Sequence, residues 1–384
     1  MGASYRRPAV AVKAAMRVLG FMTGTSLDAV DMAILETDGE TIAAFGPAGE
    51  RKLSTATRRL VETATADALV WPWDAPPPRS FQAAALAIAN EHLAAAAEFL
   101  SAHGLASGDL DLVGFHGQTV LHQPAGETRR VGRTVQLGDA QRVAAGLGVP
   151  VAFDFRSDDV AARGQGAPLA PIYHQALVNW SGLERPIAVL NLGGVGNVSL
   201  VGDGDTLEAF DTGPANGMID LLIQARTDAR CDLNGELARA GRIDKAVLAR
   251  YLDHPYFHRA GAKSLDRFDF SLDPVSNLSL EDAAATLTAF AAESVAIGLR
   301  ACSQTPLRVV ICGGGRLNPA LMAAITARIG VDVVTAEAVG WRGDSVEAEA
   351  FAYLAARTDR GLPISFPGTT GVSAPLTGGC IAAP

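Results

Sequence analysis

RVLGFMTGTSLDAVDMAIL, residues 17–35, decides the fold. An apolar run enters a Gly/Thr/Ser turn, after which Asp28, Val30, Met32 and Ile34 alternate onto one face, the period-2 signature of a strand. The pattern predicts a β-hairpin tipped by glycine. IAVLNLGGVGNVSLV, residues 187–201, repeats the design and begins 170 residues further on. That separation hints at two related lobes, although identity between the two stretches is low.

Working outward, an Ala-rich segment at 82–103, ended by Gly104, reads as a helix. DLVGFHG and GVPVAFDF read as strands, so the fold class is α/β. Further helices are expected near 217–228, 281–304, 317–329 and 344–358, with a strand LRVVIC at 307–312 running into three glycines. WPWDAPPPRS, residues 71–80, carries four prolines and is expected to be an extended surface loop, because proline lacks the N–H that helices and ladders need.

A chain of 384 residues exceeds one ordinary core and suggests two domains. Hydrophobic residues at 48% and charged residues at 19% supply full cores and argue against general disorder. A net charge of −9 with no Lys/Arg cluster argues against a nucleic-acid partner. Cys231, Cys302, Cys312 and Cys380 form no CxxC pair, so a structural zinc or redox couple is not expected and a reducing cytoplasm is the simplest setting. The Ala-rich tracts contain Glu, His and Asn, so no membrane helix is expected, and the N-terminus reads as a short extension with no leader.

Five stretches could carry chemistry. Gly24, Thr25 and Ser26 with Asp28 and Asp31 combine N–H groups, hydroxyls and carboxylates suited to a phosphate chain and Mg²⁺, and equally suit an ordinary hairpin turn. Asp211, Thr212 and Gly213, ahead of the apolar MIDLLI, read as a helix N-terminus whose free N–H groups would take an anion, or as a plain capped helix. Gly313, Gly314 and Gly315 sit at a strand-to-helix junction where a base or ribose could lie against bare backbone. No GxxxxGK[ST] or GxGxxG occurs, which excludes a P-loop or Rossmann fingerprint. DFRSDDVAARGQGAPL, residues 154–169, concentrates carboxylates before a Gly/Pro loop and is the best place for a general base, the alternative being an exposed acidic loop. In GFHGQT, residues 114–119, His116, Gln118 and Thr119 could bond sugar hydroxyl or acetamido groups, while the His116/His122 spacing fits no metal pair.

Two glycine-tipped hairpins followed by strand-GGG-helix resemble the phosphate and adenosine loops of the actin, Hsp70 and sugar-kinase superfamily, with ribonuclease H-like lobes closing on ATP. GTSLDAVD, GFHGQTVLHQP, DFRSDDVAARGQGAPL, NLGGVGN, FDTGPANGMID, CGGGRLNPALM, DSVEAEAFA and FPGTTG, in this order, resemble the anhydro-N-acetylmuramic acid kinase family over nearly the whole chain. The resemblance implies that water attacks the anomeric carbon of a 1,6-anhydro amino sugar while the released O6 takes the γ-phosphate of ATP. It implies Asp159 as the base, ahead of Asp158. It puts Gly24, Thr25, Ser26 and Asp28, Asp211 to Gly213, and Gly313 to Gly315 at ATP, and His116, Gln118, Thr119, Arg156 and Glu347 at the sugar.

The resemblance further implies ATP and Mg²⁺ as cofactors, a cytoplasmic homodimer, and peptidoglycan recycling as the role. The expected lobes are residues 1–160, with 344–384 packing back on them, and 161–343. Arg163 stands where the family usually has glycine and would resist a positive φ. Ala29, Gly196 and the segment GAKSLDRFDF are further departures. A hydroxyl kinase for another amino sugar and a non-enzymatic ATP switch are the competing readings.

Overall fold

Each of the two hairpins opens its own sheet in the computed structural model, which describes residues 14–24, 26–126, 131–259, 261, 263–265 and 269–384. The strands are β1 (Met16–Met22), β2 (Ala29–Thr37), β3 (Ile42–Lys52), β4 (Leu112–Phe115), β5 (Gln118–Gln123), β6 (Arg133–Leu137) and β7 (Val151–Phe153). They continue as β8 (Ile187–Leu192), β9 (Val195–Val201), β10 (Leu207–Pro214), β11 (Arg308–Cys312), β12 (Asp332–Thr335) and β13 (Cys380–Ala382). The first sheet has the order β13-β7-β4-β1-β2-β3 and the second β10-β9-β8-β11-β12.

In the first sheet β1, β2 and β3 form an antiparallel meander, and β4 and β7 extend it in parallel from β1. In the second, β8, β9 and β10 form the meander, and β11 and β12 extend it in parallel from β8. The topologies are the same, so the low identity between the two hairpin sequences conceals a repeated architecture. β13 is an antiparallel addition to the first sheet, and β5–β6 is a separate hairpin.

The alternation in β2 has a different cause from a half-exposed strand, because both its faces are covered. Val30, Met32 and Ile34 pack with Val61, Ile88 and Phe99 on one side. Leu35 and the β1 residue Val18 pack with Phe351 and Leu354 on the other. The helix Val346–Asp359 lies against β1, β2 and β4. Gly20 and Gly114 permit this approach: a Cβ on Gly20 would stand 1.9 Å from the Ala348 carbonyl oxygen, and one on Gly114 2.2 Å from that of Phe351. The same apolar cluster reaches Val189 and Val310 of the second sheet, so the helix sits between the lobes. Each such buried Leu or Phe contributes about 1.5–3 kcal/mol.

The predicted helices appear as Arg79–Ala102, Asn216–Arg226, Leu280–Ala301, Pro319–Ile329 and Val346–Asp359. Leu280–Ala301 is, among the described residues, the one helix long and apolar enough to cross a membrane, but it is a buried core helix packed on β10 and its neighbours. Residues 71–78 form the expected loop, with Trp71 set against Trp73 and Phe81, and Arg79 already opens the next helix. The reading of residues 211–213 as a helix start is corrected: they belong to β10, and the helix begins at Asn216.

Candidate active site

A cleft of about 430 Å³ opens between the sheets. Gly24, Ser26, Asp28, Asp31, Glu50 and Arg156 line it from the first lobe. Asn191, Asn197, Asp211, Cys312, Gly313 and Gly314 line it from the second. Asp344, Glu347 and Phe351 form the floor where the helix Val346–Asp359 begins.

The first turn is held from below. Leu27 N–H donates to the Gly24 carbonyl at 3.2 Å, and Leu27 takes a left-handed φ of 57°. Gln118 Nε2 donates to the same carbonyl at 3.4 Å, while its buried Oε1 has no partner. Thr23 Oγ1 donates to His92 Nε2 at 3.1 Å, because His92 Nδ1–H is committed to the Ile88 carbonyl and burial keeps the ring neutral with its pKa down to about 4. Thr25 lies outside the described residues.

At the second turn the expectation of a free helix terminus fails for a specific reason. Ala215 and Gly217 N–H donate to the Gly194 carbonyl, and Asn216 N–H to that of Gly193, each at 3.0 Å. The first amides of the helix are therefore spent on the hairpin turn. Of the three residues expected here, only Asp211 lines the cleft. Thr212 is buried and donates to the Gly196 carbonyl at 3.0 Å, and a Cβ on Gly213 would meet Ser294 at 2.7 Å in the core. A Cβ on Gly196 would approach Thr212 Oγ1 to 2.8 Å, which accounts for glycine at that position.

The glycine triplet divides likewise. Gly314 has open space where a side chain would stand. Gly313 needs its φ of 76° and crowds Asn191 Oδ1, and Gly315 packs against Leu192. The next residue, Arg316, is buried and bonds both Glu337 and Asp344 at 2.8 Å, pinning the triplet to the base of the Val346–Asp359 helix. Sequence reading passed over Arg316, although it stands inside the CGGGRLNPALM stretch.

Carboxylates dominate the electrostatics. Burial, then Glu347, Glu50, Asp344 and Asp28, push Asp31 up to about 7. Burial pushes Asp211 up to about 7, although its Oδ2 accepts from Leu265 N–H at 2.8 Å and Lys263 stands near. Glu347 Oε1 accepts from Asn191 Nδ2 at 3.2 Å, joining the two lobes. Glu50 went unremarked in the sequence, hidden inside an eleven-residue strand. No group of three or more His, Cys, Asp or Glu among the described residues is arranged to hold a metal ion by itself.

Residues 154–168 fold as a one-turn helix, Ser157–Ala161, followed by the glycine loop. Asp159 is 1% exposed; its Oδ1 accepts from Gly166 N–H at 2.6 Å and its Oδ2 from Thr370 Oγ1 at 2.5 Å. Among the described residues it stands behind the cleft lining, next to Arg156, which is in it. Asp158 is exposed and sits near Asp154 and Cys380, off the cleft. Arg163 does take a left-handed φ, at 69°.

Arg156 Nε donates to His116 Nε2 at 3.1 Å and Nη1 to the Gly166 carbonyl at 2.7 Å, with burial bringing its pKa to about 10. His116 Nδ1–H donates to the Gly117 carbonyl at 2.8 Å, so both ring nitrogens serve the protein. Burial and Arg156 hold this ring well below the usual histidine range. His116 thus orients Arg156 and does not itself face the cleft. Gln118 is buried under the first turn, and Thr119 Oγ1 accepts from Gln136 Nε2 at 3.3 Å.

Two sheets of one topology face a cleft across glycine turns, which defines a two-lobed α/β architecture, and the comparisons with known proteins make it that of a sugar kinase. The family model described as anhydro-N-acetylmuramic acid kinase matches residues 16–384, and the chain belongs to that family. It is 62% identical to the anhydro-N-acetylmuramic acid kinase of Caulobacter vibrioides, over 95% of this chain and 98% of the relative. It is 60% identical to the same-named protein of Phenylobacterium zucineum, over 96% of this chain and 100% of the relative. Among solved structures it is similar to the activator of the 2-hydroxyisocaproyl-CoA dehydratase from Clostridium difficile with bound ADPNP. That likeness has 13% identity and a TM-score of 0.43, covering 90% of this chain and 96% of the other.

Proposed function

We propose that the protein converts 1,6-anhydro-N-acetylmuramic acid, ATP and water into N-acetylmuramic acid 6-phosphate and ADP, within peptidoglycan recycling in a bacterial cytoplasm. The observation that carries the reading is the family match, which runs through both cleft walls and the Asp159 loop. Water oxygen bonds to C1 as the C1–O6 bond breaks, O6 bonds to the γ-phosphorus as the bond to ADP breaks, and the proton of water passes to Asp159. Two donors fix the orientation of Asp159 and leave lone pairs on both oxygens, and for this carboxylate, 1% exposed behind the cleft lining, to take that proton the loop around it must open toward the cleft. Arg156, the one cationic side chain among the described residues lining the cleft, suits an anionic sugar or phosphate group. Glu347 lies where it can accept from a sugar hydroxyl, with His116 holding Arg156 in place.

Gly24, Ser26 and Gly314 offer bare or short-chained backbone to the nucleotide, and Asp28, Asp31 and Asp211 are the carboxylates suited to Mg²⁺. Their fit rests on Asp31, whose charge is suppressed first by burial and then by four like neighbours, a setting that a cation would relieve. Mg²⁺ would supply charge neutralisation of the phosphates. The lobes are taken as residues 1–160 with 344–384, and 161–343, and the assembly as a homodimer.

The test is turnover in ¹⁸O-water with ATP, Mg²⁺ and the anhydro-sugar, comparing the parent with Asp159→Asn. A sugar phosphate carrying one solvent oxygen, and absent from the variant, is expected. A phosphorylated product with no solvent oxygen would refute the coupled hydrolysis.

A further inference from the structure

The stretch FPGTTG near the C-terminus forms a one-turn helix, Pro367–Thr370, far in sequence from the loop it serves. Thr370 is fully buried, and its hydroxyl donates to Asp159 Oδ2 at 2.5 Å. Its carbonyl accepts from Gln165 N–H at 2.7 Å. Gln165 Oε1 in turn accepts from Ser264 Oγ at 3.1 Å. Ser264 lies between the two residues that bracket Asp211: Asp211 N–H donates to the Lys263 carbonyl at 2.9 Å, and Leu265 N–H to Asp211 Oδ2 at 2.8 Å. The turn also leans on the strand that carries Asp211, since a Cβ on Gly368 would stand 2.2 Å from the Leu207 carbonyl oxygen.

We propose that Thr370 is a positioning residue for Asp159, and that the chain Thr370–Gln165–Ser264 couples the orientation of that carboxylate to the phosphate-side residue Asp211. The inference rests on the reading of Asp159 as the base. A hydroxyl has one proton, and here a carboxylate oxygen is its acceptor, so Thr370 fixes the plane of the carboxylate from one side as Gly166 N–H does from the other. Valine at 370 keeps the volume and loses the donor; serine keeps the donor.

The experiment measures kcat, and KM for ATP and sugar separately, in Thr370→Val, Thr370→Ser and Ser264→Ala, with Asp159→Asn alongside. Thr370→Val is expected to lower kcat by about 10–100-fold, the scale of a catalytic group misplaced by an ångström, with KM for ATP within about twofold of the parent. Thr370→Ser restores most of kcat. Ser264→Ala lowers kcat and adds nothing further in the Thr370→Val background, as members of one chain behave. An inactive Asp159→Asn beside a Thr370→Val of parental kcat overturns the coupling and leaves the base reading standing. An active Asp159→Asn overturns the base reading and the coupling with it. Should thermal melting show that Thr370→Val does not fold, Ser264→Ala decides alone: parental kcat there overturns the proposal.

Discussion

Replacing Gly20 by alanine tests the joint that sets the floor of the cleft. Glycine-to-alanine changes inside a strand ordinarily stabilise by about 0.5–1 kcal/mol, because glycine loses more freedom on folding. Here the added Cβ would stand 1.9 Å from the Ala348 carbonyl oxygen and 2.6 Å from Ala352 N, against 3.4 Å for the start of ordinary contact. Both obstacles are backbone of one helix, so no rotamer relieves them and the helix must retreat by roughly 1.5 Å, an overpacking of the kind that costs about 1–3 kcal/mol. Because Ala348 follows Glu347, the same movement withdraws that carboxylate from Asn191, its partner across the cleft at 3.2 Å. Urea unfolding should therefore show a lower midpoint at unchanged slope, a loss of about 3 kcal/mol, and the sugar KM should rise in the folded fraction. A parental or raised midpoint would refute the claim that this glycine exists for the close approach of the helix.

Arg163→Gly should stabilise the protein. Relief of a left-handed side-chain clash is worth about 1–2 kcal/mol, and glycine's extra unfolded-state freedom takes back about half. A thermal midpoint raised by about 1–2 °C, with kcat retained, is the expected result. Gly314→Ala and Gly313→Ala should part company. The first meets open space, so stability should stay within about 0.5 kcal/mol while KM for ATP rises. The second puts a side chain at φ 76° and 2.2 Å from Asn191 Oδ1, so the midpoint of urea unfolding should fall.

Much of the architecture was legible because it is written in period and punctuation. The two hairpins, five of the helices and the strand into the glycine triplet follow from apolar alternation and glycine stops, and the motif order points to the family, but the sixteen-residue helix Thr55–Val70, which no glycine closes, went unremarked. What else escaped depends on direction. Thr212 and Asp211 are neighbours on one strand, and pleating alone sends one to Gly196 and the core and the other to the cleft. The helix starting at Asn216 has the sequence of an anion site, yet its amides are consumed by two carbonyls some 22 positions earlier, a tertiary fact with no local trace. Thr370 shows the same limit, since nothing in FPGTTG announces a contact with Asp159, 211 residues away.

The charge of the cleft leads to one more measurable consequence. Asp31 and Asp211 are each pushed up to about 7, in both cases chiefly by burial. The folded protein therefore binds protons that the unfolded chain has released above about pH 4, and the stability tied to these protons is present below that pH and lost as pH rises through about 7. Without nucleotide, unfolding free energy should decline from pH 5 to pH 8, and Asp31→Asn should flatten the decline. A divalent cation favours the ionised carboxylates, so binding of Mg²⁺ with ATP near pH 7 should release protons, which calorimetry in buffers of different ionisation enthalpy detects. Proton release that is the same in Asp31→Asn would move the source to Asp211. Its absence in the parent protein would mean that these carboxylates are already ionised and that the cleft holds its negative charge without a cation.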